Sequence, residues 1–306
     1  MLLLILTSHR ADCFALCADC LERHTDLRKF ERILVMGNAL EPQHRRLAQS
    51  FVSRHANAIL FEFGPRGLKT TMLALDGILA RYPGRVVVKI DEDVFVMPGW
   101  LDELCRTYRR NKSTGCGLVS ALVPNNDVGQ AALHDYLCAA CPEYANSTAL
   151  HGKASRNPAF AVWLWQRVLS GKLNLADAVQ RGRVREQRIA KYLNINCILM
   201  DPDFLDIALP FSRDYDEHLI HLALTHAKTS FYGLLAPNSL AHHYSFKSQQ
   251  REVDTTIPLD AVRRHLLGSA PQNGHPRRLH NAIRCTGKMP LTHAAAPARS
   301  EAARTA

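Results

Sequence analysis

No stretch of the 306-residue sequence is long and apolar enough to cross a bilayer, which takes about 20 consecutive apolar residues. The apolar start, Met1-Leu2-Leu3-Leu4-Ile5-Leu6, is too short. It has no basic residue before it, and Arg10 and Asp12 follow at once, so it reads neither as a span nor as the core of a secretory signal. The expected location is cytoplasmic, with peripheral contact at the inner membrane face as the one membrane setting left open. There is no internal repeat, and nothing collagen-like, coiled-coil or wholly disordered in the composition. No Gly-rich loop follows the first apolar run. Thr7-Ser8-His9-Arg10 stands there instead, which argues against a sugar-phosphate nucleotidyltransferase. Basic and aromatic residues are not interleaved as on a single-strand platform, and no reading module is recognisable, which argues against nucleic acid as the partner.

Nine cysteines are present, with C-x2-C spacing at Cys17/Cys20 and Cys138/Cys141. Two such pairs can make a zinc site. Here Cys13, Cys17 and Cys20 fall on an amphipathic helical pattern without the turn residues of a zinc knuckle, and buried free thiols in a reducing compartment fit better. Asn111-Lys112-Ser113 and Asn146-Ser147-Thr148 match glycosylation acceptors that a cytoplasmic protein does not use.

The apolar content of 47% allows a sizeable core. The net charge is +10, and residues 251–306 hold nine Lys or Arg against four Asp or Glu. A basic surplus favours an anionic partner, and a solvated basic tail accounts for it equally well. Apolar runs at residues 2–6, 32–36, 58–63 and 85–90 read as strands. Helical periodicity fills residues 12–24, 42–54 and 68–81 between them. The alternation predicts an α/β fold: an open, mostly parallel sheet with helices on both faces. The second half is less regular. Residues 117–122, 197–200 and 232–235 read as strands, 175–192 as one or two helices, and 215–227 as a helix. The apolar pattern thins after about Ser248, and from Gly268 on the composition is that of a loose tail.

In open α/β sheets ligands bind beyond the carboxyl ends of the strands. Thr7 to Arg10, Gly37-Asn38, Gly64 to Lys69 and Asp91-Glu92-Asp93 all fall at such ends. Asp91 and Asp93 are the sharpest signal. Two carboxylates two residues apart, just past a buried strand, are costly there unless a cation neutralises them. Carboxylate oxygens suit Mg2+ or Mn2+, and the ion would be shared with a nucleotide's diphosphate. A solvated acidic turn is the plainer alternative.

The segment Val88-Lys89-Ile90-Asp91-Glu92-Asp93-Val94-Phe95-Val96-Met97-Pro98-Gly99-Trp100-Leu101 resembles the strand, Asp-x-Asp motif and Pro-Gly-Trp-Leu stretch of family-2-like glycosyltransferases with the GT-A (nucleotide-diphospho-sugar transferase) fold. Thr7-Ser8-His9-Arg10 is similar to that family's first nucleotide-contacting loop, and Gly67-Leu68-Lys69 to its third-strand loop. The likeness covers about residues 1–247. It is strong to residue 101, patchy to 195 and moderate after that. It implies an inverting transfer from a nucleotide-diphospho-sugar donor to an acceptor hydroxyl of a glycan or glycolipid, aided by Mn2+ or Mg2+. Residues 1–250 would be the catalytic domain, with a nucleotide half at 1–101 and an acceptor half at 102–250. Residues 251–306 would be a basic, partly disordered tail.

Carried over by position, Asp91 would face the donor's ribose or a metal-bound water, and Asp93 would bind the metal. Thr7, Arg10, Lys69 and Glu92 would lie near the nucleotide and its phosphates. One departure stands out. The family often ends its second strand with an acidic residue that reads the base, and here Met36-Gly37-Asn38 occupies that place, which leaves Asn38 for the role. In Asp214-Tyr215-Asp216-Glu217, Asp216 is the favoured general base, ahead of Glu217 and Asp214, although a carboxylate opening a helix also serves as a cap. His242 or His243 would complete the metal shell, His242 being preferred. Trp163 and Trp165 read as core or as a sugar-stacking wall. Arg181, Arg185 and Arg188 share a helical face, with Arg183 and Lys191 near it, and read as a solvated face or a lipid-phosphate contact. The competing readings are the nucleotidyltransferase and a basic, non-enzymatic nucleic-acid-binding α/β protein.

Overall fold

The computed structural model describes residues 1–189, 195–211 and 231–268. Four parallel strands make its first half: β1 (Leu2–Thr7), β2 (Arg32–Asn38), β3 (Ala58–Phe63) and β4 (Val87–Asp91), in the order β3-β2-β1-β4. Successive side chains of a strand leave opposite faces, and both faces here are apolar. Leu3, Ile5, Ile33, Val35, Val88 and Ile90 meet one core layer, while Leu2, Leu4, Leu34, Met36 and Val87 meet the other.

Helices α1 (Ala11–His24) and α2 (Pro42–Ser53) supply the first layer with Phe14, Leu16, Cys17, Cys20, Ala48 and Phe51. Asp12 opens α1, and Arg23 with His24 closes it, each favourable to the helix dipole. Helix α3 (Leu68–Leu79) covers the second layer with Met72, Leu75, Ile78 and Leu79. The described cysteines are free, and Cys13, Cys17 and Cys20 are buried in the core, as the helical pattern implies.

Beyond β4 the sheet turns mixed. A two-residue turn leads to β5 (Val94–Val96), and α4 (Trp100–Asn111) to β6 (Cys116–Leu122). Then come α5 (Asp127–Ala140), the one-turn α6 (Pro142–Ala145), α7 (Pro158–Leu169), α8 (Leu175–Gln180), β7 (Gln187–Ile189), β8 (Cys197–Met200), α9 (Pro202–Ala208) and β9 (Tyr232–His243). The order β4-β8-β6-β9-β5 follows, with β8 antiparallel to β4 and β6, β9 parallel to β6, and β5 and β7 antiparallel to β9.

Three expectations are corrected. The helix read over 175–192 stops at Gln180, because Gly182 takes φ +64° and ends it, and residues 187–189 form a strand. Arg181, Arg185 and Arg188 therefore share no helical face, and Lys191 lies outside the described residues. Arg188 instead lies over the Tyr232 ring, at 4.1 Å from its centroid. The short strand at 232–235 runs on to His243. Pro237, which cannot donate to the ladder, sits where the pairing with β6 jumps from Ala236 to Leu240, and the strand resumes beyond it. Past Ser248, α10 (Gln250–Thr256), α11 (Leu259–Leu267) and the link between them bury Val253, Ile257, Val262 and Leu266 in the first layer, so the fold reaches well into the segment read as tail. Among the described residues no helix is long and apolar enough to cross a membrane.

Candidate active site

The turn Glu92-Asp93 joins β4 to β5 at the carboxyl edge of the parallel strands, and the three acids Asp91, Glu92 and Asp93 do three different things. Glu92 turns inward and is buried. It accepts from the Thr7 hydroxyl at 2.6 Å and from the backbone N–H groups of Ser8, His9 and Arg10 at 3.0, 3.1 and 3.2 Å. His44 Nε2 lies 2.6 Å from the same Thr7 hydroxyl. The loop after β1 is thus built around one carboxylate from the loop after β4. Thr7 and Glu92, both read as donor contacts, face each other.

Asp93 turns the other way. Its Oδ2 is 3.3 Å from His243 Nε2, and its side chain keeps 17% of its exposure while His243 keeps 4%. Burial opposes ionisation of Asp93, but the His243 imidazole and the Arg10 guanidinium outweigh it and hold the carboxyl below its ordinary range. Backbone pairing sets the contact. Val94 is in register with His243, Tyr244 N donates to the Asp93 carbonyl at 2.8 Å, and Asn125 Nδ2 donates to the His243 carbonyl at 2.8 Å. The neighbouring side chain on a strand points to the other face. His242 accordingly packs on Trp165 at 5.3 Å between ring centroids, and burial pushes its imidazole down to about 3. Of the two histidines expected at the metal, His243 and not the preferred His242 is the one that lies beside Asp93.

Asp91 is held on both oxygens. Lys89 Nζ sits 2.7 Å from Oδ1, and Asn196 Nδ2 donates to Oδ2 at 3.1 Å. Burial pushes this carboxyl up, Lys89 opposes the shift and the nearby Asp93 adds to it.

Other expected residues have structural partners. Arg10 is buried, with ion pairs to Asp12 and Asp254 and the Tyr244 ring 5.2 Å away. Asn38 is buried at the end of β2 and clamps the loop after β3, donating to the Pro65 carbonyl at 3.2 Å and accepting from Gly67 N at 3.0 Å. Lys69 is exposed in the first turn of α3 and has no ion pair among the described residues. Trp165 is core, its Nε1 donating to the Tyr244 carbonyl at 3.0 Å, and Trp163 stacks on Tyr144 at 5.2 Å. Asp214, Asp216 and Glu217 lie outside the described residues.

A divalent cation fits this chemistry in part. Asp93 supplies a hard oxygen and His243 an imidazole nitrogen, a pair that suits Mn2+. His243 Nδ1 and Asn196 Oδ1 are buried without a hydrogen-bond partner among the described residues, so two polar atoms at this edge are unsatisfied. No group of three or more His, Cys, Asp or Glu among the described residues is arranged to hold a metal alone.

Two contributors escaped the sequence reading. Lys89 left a signal, a lone cation inside Val-Val-Val-Lys-Ile at the spacing that puts it on the face of Asp91. Asn196 left none, since it comes from the far side of the chain.

No protein-family model matches the chain, and no curated protein sequence does. Among solved structures, a mannosyltransferase from Pyrobaculum calidifontis in complex with GDP-Man and Mn2+ is similar, with a TM-score of 0.52 at 13% identity, over 82% of this chain and 58% of that one. The chain thus spans under two thirds of that protein's length. The galactosyltransferase LgtC, in complex with donor and acceptor sugar analogues, is similar at a TM-score of 0.44 and 12% identity, over 89% of this chain and 98% of that one. The chain has the GT-A fold.

Proposed function

We propose that this protein is a glycosyltransferase that moves a sugar from a nucleotide-diphosphate donor onto an acceptor hydroxyl with a divalent cation, Mn2+ or Mg2+. The observation that carries the reading is the meeting of Asp93 and His243 beside Asp91 at the carboxyl edge of β4. The Pyrobaculum mannosyltransferase, similar in fold and in complex with GDP-Man and Mn2+, supports the donor class and the ion.

When bound, the ion would act as a Lewis acid, neutralising charge that builds on the departing diphosphate. The chain's own residues supply the rest. Asp93 and His243 are the ligands it offers. Glu92 fixes the loop from Thr7 to Arg10 as one wall of the crevice. Lys69, exposed after β3, offers a charge to the phosphates. Asp216, with Glu217 and Asp214 behind it, takes the acceptor proton as the hydroxyl attacks, a role that rests on the sequence cluster alone. A single displacement inverts the anomeric carbon, and the acceptor is a glycan or glycolipid hydroxyl.

The test is a thermal-shift panel of nucleotide sugars with and without Mn2+. The matching donor should raise Tm by roughly 5 °C near a hundredfold excess over Kd, and only when the ion is present. A panel in which no nucleotide sugar shifts Tm under either condition would sink the reading. Inversion is checked by NMR of the product's anomeric proton, and Asp216→Asn should abolish turnover while leaving donor binding intact.

A further inference from the structure

Lys89 sits in the middle of β4, two residues before Asp91, so both side chains leave the sheet on the same face. Beside Lys89 the apolar side chains of Leu4, Leu75, Ile198 and Met200 line a small cavity. An ammonium stays charged in such a place only through close partners. Lys89 Nζ donates to the Ile195 carbonyl at 2.9 Å and meets Asp91 Oδ1 at 2.7 Å. The second oxygen of Asp91 accepts from the Asn196 amide at 3.1 Å, and Asp91 N donates to the Asn196 carbonyl at 3.1 Å. The atom of Asn196 facing a carboxylate must be its nitrogen, which fixes the amide's orientation and leaves its Oδ1 unpartnered among the described residues. Asp93 differs. Among the described residues its ion-pair partner is His243, and no described Lys or Arg is paired with it.

A carboxylate with a buried ammonium on one oxygen and an amide on the other is a poor ligand for a second cation. That cation must compete for lone pairs already in use and also approach a positive charge. We propose that Lys89 is a positioning residue that keeps Asp91 from ligating the ion. The chain then offers the ion only Asp93 and His243, and tight binding waits for the donor's diphosphate. This rests on the glycosyltransferase reading. It makes ion and donor bind as a unit, with Asp91 and the free oxygen of Asn196 left for hydroxyl groups.

The test is Mn2+ binding followed by EPR of the free ion at about pH 8, where ordinary carboxylates are ionised, with UDP and GDP as probes and without nucleotide. Wild type should bind Mn2+ weakly alone and more tightly with a diphosphate. Lys89→Met suits the apolar lining and frees Asp91, and it should bind nucleotide-free Mn2+ about tenfold more tightly or better. Adding Asp91→Asn to Lys89→Met should return that affinity to the wild-type level. A lysine with a merely structural role would lower Tm without tightening Mn2+. A folded Lys89→Met protein with unchanged nucleotide-free affinity would overturn the proposal.

If Lys89→Met does not fold, Asp91→Asn decides. The proposal expects nucleotide-supported Mn2+ affinity to stay within about threefold of wild type, since a non-ligand contributes only a screened charge. Asp93→Asn should lose that affinity. Equal losses in Asp91→Asn and Asp93→Asn overturn the proposal and leave the glycosyltransferase reading standing. A wild-type chain that takes up neither Mn2+ with either nucleotide nor any nucleotide sugar overturns both.

Discussion

Asp93 Oδ2 and His243 Nε2 stand 3.3 Å apart across the antiparallel pair of β5 and β9, while His242, one residue earlier, faces the opposite side against Trp165. This alternation separates two histidines that look equivalent in the sequence. Asp93→Ala should lower kcat/KM on the order of 100-fold or more, the scale of losing one charge-stabilising group. His243→Ala should weaken Mn2+ binding by about 10-fold or more. His242→Ala should act on stability, costing roughly 3 kcal/mol as a truncated buried ring, with Mn2+ affinity in the folded fraction little changed. Steady-state kinetics, Mn2+ titration and urea unfolding of the three variants check the assignment. Equal loss of Mn2+ affinity in the two histidine variants would contradict it.

Glu92 accepts from one hydroxyl and three backbone N–H groups of the loop after β1. Glu92→Gln puts an N–H group where donors already point, and it should destabilise the fold by roughly 2–4 kcal/mol. The loop it holds is a wall of the donor crevice, so KM for the donor should rise more than kcat falls. A variant with wild-type Tm and KM would show that the loop holds its shape without this carboxylate.

Acid should destabilise the protein through its buried histidines. Burial pushes His242 down to about 3, and it also lowers His24, His44 and His265 from their ordinary value. Such a group binds its proton in the unfolded chain first. Its contribution is therefore fully present above the unfolded value of about 6.5 and is lost as pH falls towards the folded one. Between about pH 6.5 and 4.5 His242 alone should remove roughly 1 kcal/mol per pH unit. His242→Phe should flatten that share of the slope in a series of urea melts, and an unchanged slope would mean that the imidazole is solvated.

Gly129 lies in the first turn of α5, under the loop that carries Asn125, and a Cβ there would overlap the Val123 carbonyl. Gly129→Ala should cost on the order of 3 kcal/mol, because backbone and not a flexible side chain must move. Since Asn125 holds the His243 carbonyl, the variant should also weaken Mn2+ binding. A melt within about 0.5 kcal/mol of wild type, the range of an ordinary surface change, would show that the loop shifts freely.

The sequence by itself determined the parallel half of the sheet. The runs at Leu2–Thr7, Arg32–Asn38, Ala58–Phe63 and Val87–Asp91 are continuous apolar strands, and the helices between them have a period that local chemistry fixes. It also determined that Asp91 and Asp93 fall at the carboxyl edge, because they follow directly from a strand of that half. Tertiary structure alone decided what each acid touches. Which way Glu92 turns depends on donors in the β1 loop. Which histidine meets Asp93 depends on the register of β9, whose course past Pro237 is set by pairing with β6 and β5. What holds Asp91 depends on Asn196, brought in by antiparallel pairing of β8. Such contacts come from long-range pairing, which no local pattern encodes, and a shift of one residue would exchange the faces of every side chain involved.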